Sequence, residues 1–207
     1  MPPEKINMFR IIVIFLYLTG FSHSIAAENS SVTINGEKFS KTFVGNSPNG
    51  DKLIEFVKEN ESFKNWTKLI AFRYQQLPKI KNEPKQAGIA MYKISQASYP
   101  GTKLGMMLNK TETDAIVHFL AWPKNGEKYI EFNIFRYVKS RDNNAVVSLQ
   151  VAFRMPLTKE ASKVKELKAT QMSLLSDASK YDMNTVQNTI DKLLHNKTIK
   201  NVRNLTQ

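Results

Sequence analysis

The chain has 207 residues, of which 42% are hydrophobic and 23% are charged, a composition typical of one globular domain with a buried core. It contains no cysteine, which excludes disulfides, thiolate metal sites and cysteine nucleophiles. The net charge is +12, but the lysines and arginines are spread along the chain. A dispersed excess is typical of a solvated surface, so it predicts weak attraction to polyanions and no specific nucleic-acid partner.

Residues 1–27 predict a cleaved Sec signal peptide. A basic start precedes the apolar run Ile11–Leu18, and small residues then offer a cut after Ala26 or Ala27. Met8 is an alternative start. The apolar run is shorter than the ~20 residues that a membrane-spanning helix needs. We therefore expect a periplasmic or secreted protein with no transmembrane segment after cleavage.

The first half of the mature chain predicts short strands joined by turns. Two β-like runs, Val32–Ile34 and Glu37–Val44, flank Asn35-Gly36, which is a strong hairpin signal. Further strands are predicted at Lys52–Lys58, Thr67–Tyr74 and Lys103–Asn109. Trp66 precedes one of them, and we interpret it as a large core anchor rather than a platform for ligand stacking.

Three segments have the apolar spacing of helices: Lys85–Ser98, Lys159–Lys180 and Thr185–His195. The pair Asn184 and Gln187 resembles a capping box for the last of them. The lysine-rich side of the second helix could lie on a membrane surface, but its apolar stripe follows a sheet that needs a cover, which favours core packing. Residues 196–207 are polar and basic and predict a flexible tail.

The stretch Asp114–Met155 predicts the middle of a sheet, with three apolar runs separated by two turns. Its first run is apolar on both faces, as in strands that are covered twice. The predicted fold is α+β, one domain over residues 28–195. In this fold a mostly antiparallel sheet, with a meander at 114–155, is covered by helices near 85–98, 159–180 and 185–195.

Motifs for catalysis and metal binding are missing from the sequence: there is no nucleophile elbow, Walker loop or H-E-x-x-H. His118 lies in a predicted strand between Ile116 and Leu120, with no second histidine near it to share a metal. We therefore predict a non-enzymatic protein with no catalytic, cofactor-binding or metal-binding residue. The alternative is a hydrolase in which His118 or scattered carboxylates form a site.

A few sheet residues are not accounted for by packing, and they form the predicted binding surface: Tyr129, Phe135, Tyr137, Arg136 and His118. An inward Arg136 needs a buried carboxylate or carbonyl partner, because an unpaired buried charge is costly. A structural ion pair is favoured over a substrate clamp for this residue.

The segment NESFKNWTKLIAF at residues 60–72 is similar to the G-E-S-x-x-N-W-T segment of small exported proteins of Gram-negative bacteria, including Legionella-type organisms. Asn60 stands where those proteins have glycine. A preceding Ile54-Glu55-Phe56-Val57 strand and the later Tyr137 to Arg141 spacing also resemble theirs. The resemblance implies an α/β sandwich, loosely like PsbP/Mog1 domains, with an accessory or binding role.

The expected function is that of an exported, soluble, non-enzymatic binding or accessory protein of the bacterial envelope. The expected partner is a protein or an anionic envelope component. The alternative is a secreted, host-interacting protein whose basic surface meets anionic membranes.

Overall fold

A computed structural model describes residues 30–122 and 128–192 of the chain. The predicted signal peptide, residues 1–27, and the predicted tail, residues 196–207, lie outside the described residues. No helix within the described ranges is long and apolar enough to cross a membrane.

The described chain is an α+β fold, as predicted. Its strands are β1 Val32–Ile34, β2 Glu37–Phe39, β3 Lys41–Asn46, β4 Lys52–Val57, β5 Lys68–Gln75, β6 Leu104–Leu108, β7 Asp114–Ala121, β8 Tyr129–Lys139 and β9 Val146–Pro156. Its helices are α1 Pro84–Ser98, α2 Ala161–Lys180 and α3, residues 183–192. β1 and β2 form a hairpin, and the other strands form a seven-stranded sheet in the order β3-β4-β5-β9-β8-β7-β6. All neighbours in it are antiparallel, and β7, β8 and β9 form the predicted meander.

The first face of the sheet, the side covered by α2, α3 and the β1–β2 hairpin, carries the larger apolar core. Alternate residues of each strand point to this side because side chains in a strand repeat every two residues. Core members that are at most 2% exposed come from strands and helices alike: Phe39, Phe56, Phe72, Leu149, Leu174 and Ile190. The helices are needed here because these side chains would otherwise remain in water.

The second face of the sheet is covered by α1 over β6, β7 and β8. Gly88 of α1 allows this close approach, because a Cβ there would lie 2.9 Å from Cε of Met106 and 3.1 Å from Cβ of Ala115. Over β4, β5 and β9 a smaller cluster that contains Trp66 packs on the same face. The sheet is therefore apolar on both sides and covered on both sides.

The predicted strand Glu37–Val44 is divided in the structure. β2 ends at Phe39 and β3 begins at Lys41, so the chain leaves the hairpin and joins the large sheet at Ser40. The hydroxyl of Ser40 donates to Oε2 of Glu59 at 2.6 Å, which ties this change of direction to the β4–β5 loop. No glycine or proline lies between Glu37 and Val44, so the sequence alone does not reveal the break.

The predicted capping pair of the last helix is wrong. Asp182, the residue before α3, is the N-cap: its carboxylate accepts hydrogen bonds from the N–H of Asn184 at 3.0 Å and the hydroxyl of Thr185 at 3.1 Å. The side-chain carbonyl of Gln187 instead accepts the N–H of Arg141 at 2.9 Å. Two polar residues at capping spacing therefore serve a different contact, between α3 and the β8–β9 turn.

Arg136 has the inward position and the partners that the sequence predicts. Its guanidinium forms a bidentate ion pair with Asp114, with Nε at 3.1 Å from both carboxylate oxygens and Nη2 at 2.7 Å from Oδ2. Nη1 donates to the backbone carbonyls of Ala178 at 3.1 Å and Tyr181 at 2.8 Å. These carbonyls lie at the C-terminal end of α2, where a cation is favourable. Arg136 therefore fastens α2 to β7 and β8, and its role is structural.

We predict that Asp114→Ala lowers the free energy of unfolding by about 2 kcal/mol, because it leaves a mostly buried guanidinium without its carboxylate. Urea denaturation followed by tryptophan fluorescence measures the change. Lys163→Ala is the matched control, since it removes an ion pair with Glu160 in which both side chains are more than half exposed. The control is expected to shift stability by less than about 0.5 kcal/mol. Equal losses in the two variants would contradict the role given to Arg136.

Candidate functional site

The loop between β4 and β5 carries the N-E-S-x-x-N-W-T segment, and the segment closes the loop on itself. Oε1 of Glu61 accepts hydrogen bonds from the N–H of Thr67 at 3.1 Å and from its hydroxyl at 2.5 Å. Ser62 and Asn65 form a tight turn, in which the N–H of Asn65 donates to the backbone carbonyl and to the hydroxyl of Ser62, both at 3.0 Å. Four residues of the segment thus have a defined role in shaping the loop.

Trp66 anchors this loop to the sheet, as predicted. It is 8% exposed and packs with Val57, Leu69 and half-buried Phe63. On its other side the guanidinium carbon of Arg154 lies 3.9 Å from the centroid of its ring. A cation over an aromatic face is favourable, particularly where water is excluded.

Arg154 connects Trp66 to Tyr129, one of the predicted binding residues. Its guanidinium carbon lies 4.7 Å from the centroid of the Tyr129 ring. Nε donates to Oε1 of Glu131 at 3.1 Å, and Nη1 donates to the backbone carbonyl of Lys64 at 3.3 Å. The stack therefore joins the loop to the ends of β8 and β9, and it gives Tyr129 a packing role beside the loop.

The same loop borders a surface depression with a volume of about 410 Å³. We call it the loop depression; it is lined by Lys41, Asn60, Glu61, Ser62, Asn65, Trp66 and Thr67. Nζ of Lys41 donates to the backbone carbonyl of Glu61 at 2.6 Å, so a cation is held at its rim. Within the described chain, the exposed side-chain amides of Asn60 and Asn65 make no hydrogen bond, which leaves them available to a ligand.

The carboxylate of Glu61 adds an unusual feature to the loop depression. While Oε1 is bonded to Thr67, Oε2 is buried and has no hydrogen-bond partner among the described residues. Buried carboxylate oxygens normally have a donor. The accessible groups that the depression offers to a polar ligand are side-chain amides, an ammonium group and a hydroxyl.

Phe135 and Tyr137 lie in the core and not on an exposed surface, since they are 6% and 3% exposed. With Phe119 they form a row of stacked rings whose centroids are 6.1 Å apart, beneath α1. Burial raises the pKa of Tyr137. The alternation that placed both on one side of β8 is correct, but the sequence does not show that α1 covers that side.

His118 is half-buried on the first face of the sheet, next to the edge strand β6. Its ring centroid lies 5.9 Å from that of Phe132, and its ring occupies the space beside Gly105, where a Cβ would come within 2.3 Å of Nε2. Burial lowers the pKa of His118, which favours the neutral ring. Within the described ranges no group of three or more histidines, aspartates and glutamates could hold a metal ion.

A row of polar side chains crosses the second face of the sheet, and the sequence analysis did not identify it. Its members lie on β4, β5, β9 and β8 and are Glu55, Arg73, Ser148, Gln150 and Asn133. Nε2 of Gln150 donates to Oδ1 of Asn133 at 3.0 Å, and the guanidinium carbon of Arg73 lies 5.7 Å from the Phe135 ring centroid. One residue in the sequence indicates this row: Arg73 is a charged residue within the apolar run of β5.

A second cavity, of about 200 Å³, lies between α3 and the β8–β9 turn. Its polar groups bind one another: the hydroxyl of Tyr74 donates to Asp142 at 2.9 Å, and Arg141 donates to Asn188 on α3 at 2.8 Å. Burial and Asp142 raise the pKa of Tyr74 to about 12. These contacts fix the turn against the helix. Arg141 takes part in them, whereas Tyr137 lies under α1 on the other face of the sheet.

We predict a pH-dependent stability from Glu55. Burial raises the pKa of this carboxyl above its ordinary value of 4.5, and the charge of Arg73 only partly opposes the shift. A raised pKa in the folded state means that stability is full below 4.5 and falls as the pH rises through the folded-state pKa. Glu55→Gln should therefore be more stable, relative to the wild type, at neutral pH than at acidic pH. Urea denaturation of both proteins over a pH series measures this; a difference that is constant with pH would contradict it.

Comparisons with known proteins place the chain in a family. Neither a curated protein nor a solved structure matches it. Residues 26–183 match a family model, and this range contains all strands of the sheet, α1, α2 and the loop depression. The matched range covers most of the 207 residues. The chain therefore belongs to an uncharacterised family of bacterial proteins.

Proposed function

We propose that this protein is an exported, non-enzymatic binding protein of the bacterial envelope, and that the loop depression holds its ligand. The observation that carries the proposal is the lining: apart from Lys41, every residue of the depression belongs to the N-E-S-x-x-N-W-T segment. Membership of a bacterial family and the predicted signal peptide support an envelope location. The matched range begins at residue 26, beside the predicted cleavage site.

The chemistry of the loop depression favours a ligand rich in hydroxyl groups. Side-chain amides such as those of Asn60 and Asn65 can donate and accept at once, which suits a hydroxyl that does the same. Nζ of Lys41 has further N–H groups to offer an acceptor. Among envelope components, the glycan part of peptidoglycan or lipopolysaccharide has this character.

The same residues argue for binding rather than for chemistry. Glu61 and Lys41 are the ionisable groups that line the depression. One carboxylate oxygen of Glu61 is engaged by Thr67, and Lys41 is engaged by a backbone carbonyl. Each of these contacts holds the shape of the loop, whereas a catalytic acid or base has to exchange its proton with a substrate.

We predict that the double variant Asn60→Ala/Asn65→Ala weakens binding to a hydroxyl-rich envelope glycan by at least about tenfold, since two hydrogen-bonding amides are lost. Co-sedimentation with purified peptidoglycan sacculi, and with lipopolysaccharide, measures the binding isotherm. Folding should be unchanged, because the turn uses the backbone of Asn65 and not its amide.

Asn144→Ala is the matched control for this experiment, since Asn144 is exposed and its hydrogen bonds go to Asp142 within the β8–β9 turn, away from the loop depression. It should bind like the wild type. If the wild type shows no saturable binding to sacculi or to lipopolysaccharide, or if the double variant binds equally well, the assignment of the loop depression fails.

We also predict that the chain is exported and that residues 1–26 or 1–27 are removed, as the cleavage-site residues indicate. Expression with a C-terminal tag in a Gram-negative host, fractionation and N-terminal sequencing test this. Recovery of the uncleaved chain from the cytoplasm alone would refute the export part of the proposal without affecting the binding part.

A second candidate function is attachment of a secreted protein to anionic host membranes. It is favoured by the exposed lysines in the first half of α2. Its buried residues are Leu174 and Ala178, both in the second half, while Lys163, Lys165 and Lys168 lie exposed in the first half. An exposed basic helix attracts anionic lipid. The co-sedimentation experiment separates the two candidates: binding to anionic vesicles should fall with salt and be unaffected by Asn60→Ala/Asn65→Ala.

A further inference from the structure

The outer edge of β6 is an open strand edge that the proposed function does not use. β6 is the last strand of the seven-stranded sheet and pairs with β7 on one side. Within residues 30–122 and 128–192 no strand pairs with its other side. Its sequence, LGMML, contains no charge, and Met107 and Leu108 are 41% and 40% exposed.

The register shows which backbone groups of β6 point away from the sheet. The N–H of Asn109 donates to the carbonyl of Asp114 at 3.1 Å, and the pairing of Leu104 with Phe119 continues the same register. Hydrogen-bonded and non-hydrogen-bonded pairs alternate along an antiparallel ladder. The odd-numbered residues of β6 therefore bond to β7. Leu104, Met106 and Leu108 direct their N–H and C=O groups outward, where another strand could pair with them.

The opposite edge of the sheet is protected. β3 begins with a lysine, and Nζ of Lys41 is bonded to the β4–β5 loop. The hydroxyl of Thr42 donates to the backbone carbonyl of Ser30 at 3.1 Å, so the segment that precedes β1 lies beside β3. Charged residues and covering segments are the usual means by which proteins block an edge strand. Residues 104–108 of β6 include no charged residue, and no described segment covers their outer edge. This edge of the sheet therefore remains open to another strand.

The charges around β6 indicate the kind of partner. Lys103 and Lys110 are exposed and flank the strand on either side, and no acidic residue lies between them. Pairing with a second copy would bring these lysines together and would join two chains that each carry a large excess of lysine and arginine. Pairing with an extended segment that carries acidic residues at both ends would instead place opposite charges beside Lys103 and Lys110.

We propose that β6 is a docking edge for an extended peptide segment of an acidic partner protein, with an apolar centre and acidic ends, which adds to the sheet as an eighth strand. Backbone hydrogen bonds to Leu104, Met106 and Leu108 supply most of the affinity, as in other cases of strand addition. The side chains of the added strand contact Met107 on the first face and Leu108 on the second face. The flanking lysines, Lys103 and Lys110, select a segment with acidic ends.

The test uses a labelled synthetic peptide of alternating valine and threonine with glutamates at both ends, and fluorescence anisotropy with the purified protein. Saturable binding that weakens as salt is added is expected. The same peptide with lysines in place of the glutamates should bind at least about tenfold more weakly. A peptide with alternate N-methylated amides, which cannot form the ladder, should not bind.

Two variants locate the binding on β6. Met107→Glu places a negative charge at the exposed edge, where it repels the acidic peptide, and should weaken binding about tenfold, whereas Met172→Glu, at a 66% exposed position on α2, should leave it unchanged. Met106→Pro removes one outward N–H without removing a bond to β7, and it should also weaken binding about tenfold. Far-ultraviolet circular dichroism shows whether each variant is folded.

Three results would overturn the proposal. The first is a lack of saturable binding by the glutamate-ended peptide, and the second is equal binding by the lysine-ended peptide. The third is a concentration-dependent dimer in analytical ultracentrifugation that Met106→Pro abolishes, which would assign the edge to a second copy of the chain. None of these results bears on the loop depression, so the two proposals fail separately.

Discussion

The structure depends on one constraint: the central sheet is apolar on both faces, so both faces need a cover. Val147, Leu149 and Val151 of β9 point to one side, while Phe135 and Tyr137 of β8 point to the other, and all are buried. Because strands alternate strictly, a single layer of helices cannot remove both sets from water. This requirement explains why α1 lies on one side and why the hairpin, α2 and α3 share the other.

The elements that cover the sheet also need to be held in position on it. Two arginines hold α2 and the β4–β5 loop. Arg136 reaches from β8 to Asp114 and to the last carbonyls of α2, which fastens the helix that is least buried. Arg154 reaches from β9 to Trp66 and Tyr129, which fastens the β4–β5 loop. In both cases the guanidinium donates hydrogen bonds to a carboxylate and to a backbone carbonyl. These bonds offset the cost of burying the charge.

The elements that could be predicted from the sequence are those with a strong local period or a strong turn signal. Examples are the meander over 114–155, helices α1 and α2, and the Asn35-Gly36 hairpin. The sequence also predicts that Arg136 needs a buried acceptor, and Asp114 is that acceptor. The break at Ser40, the cap at Asp182 and the burial of Phe135 depend on which segments meet in space, and no local pattern records that. The loop segment was recognised as a motif, but its role became clear only from the bonds between Glu61 and Thr67.

Because these apolar faces are covered, they are poor places for a ligand to bind. A ligand that bound on the first face, or on the second face over β6, β7 and β8, would have to displace a helix or the hairpin and return its apolar contacts to water. The surfaces that remain are those that the covers do not reach: the loop depression beside β3 at one edge of the sheet, and the open backbone of β6 at the other. They differ in chemistry, since one offers side-chain amides to a polar ligand and the other offers a ladder of backbone groups to an extended chain. The two surfaces lie at opposite edges of one sheet, so a ligand that occupies one of them leaves the other accessible.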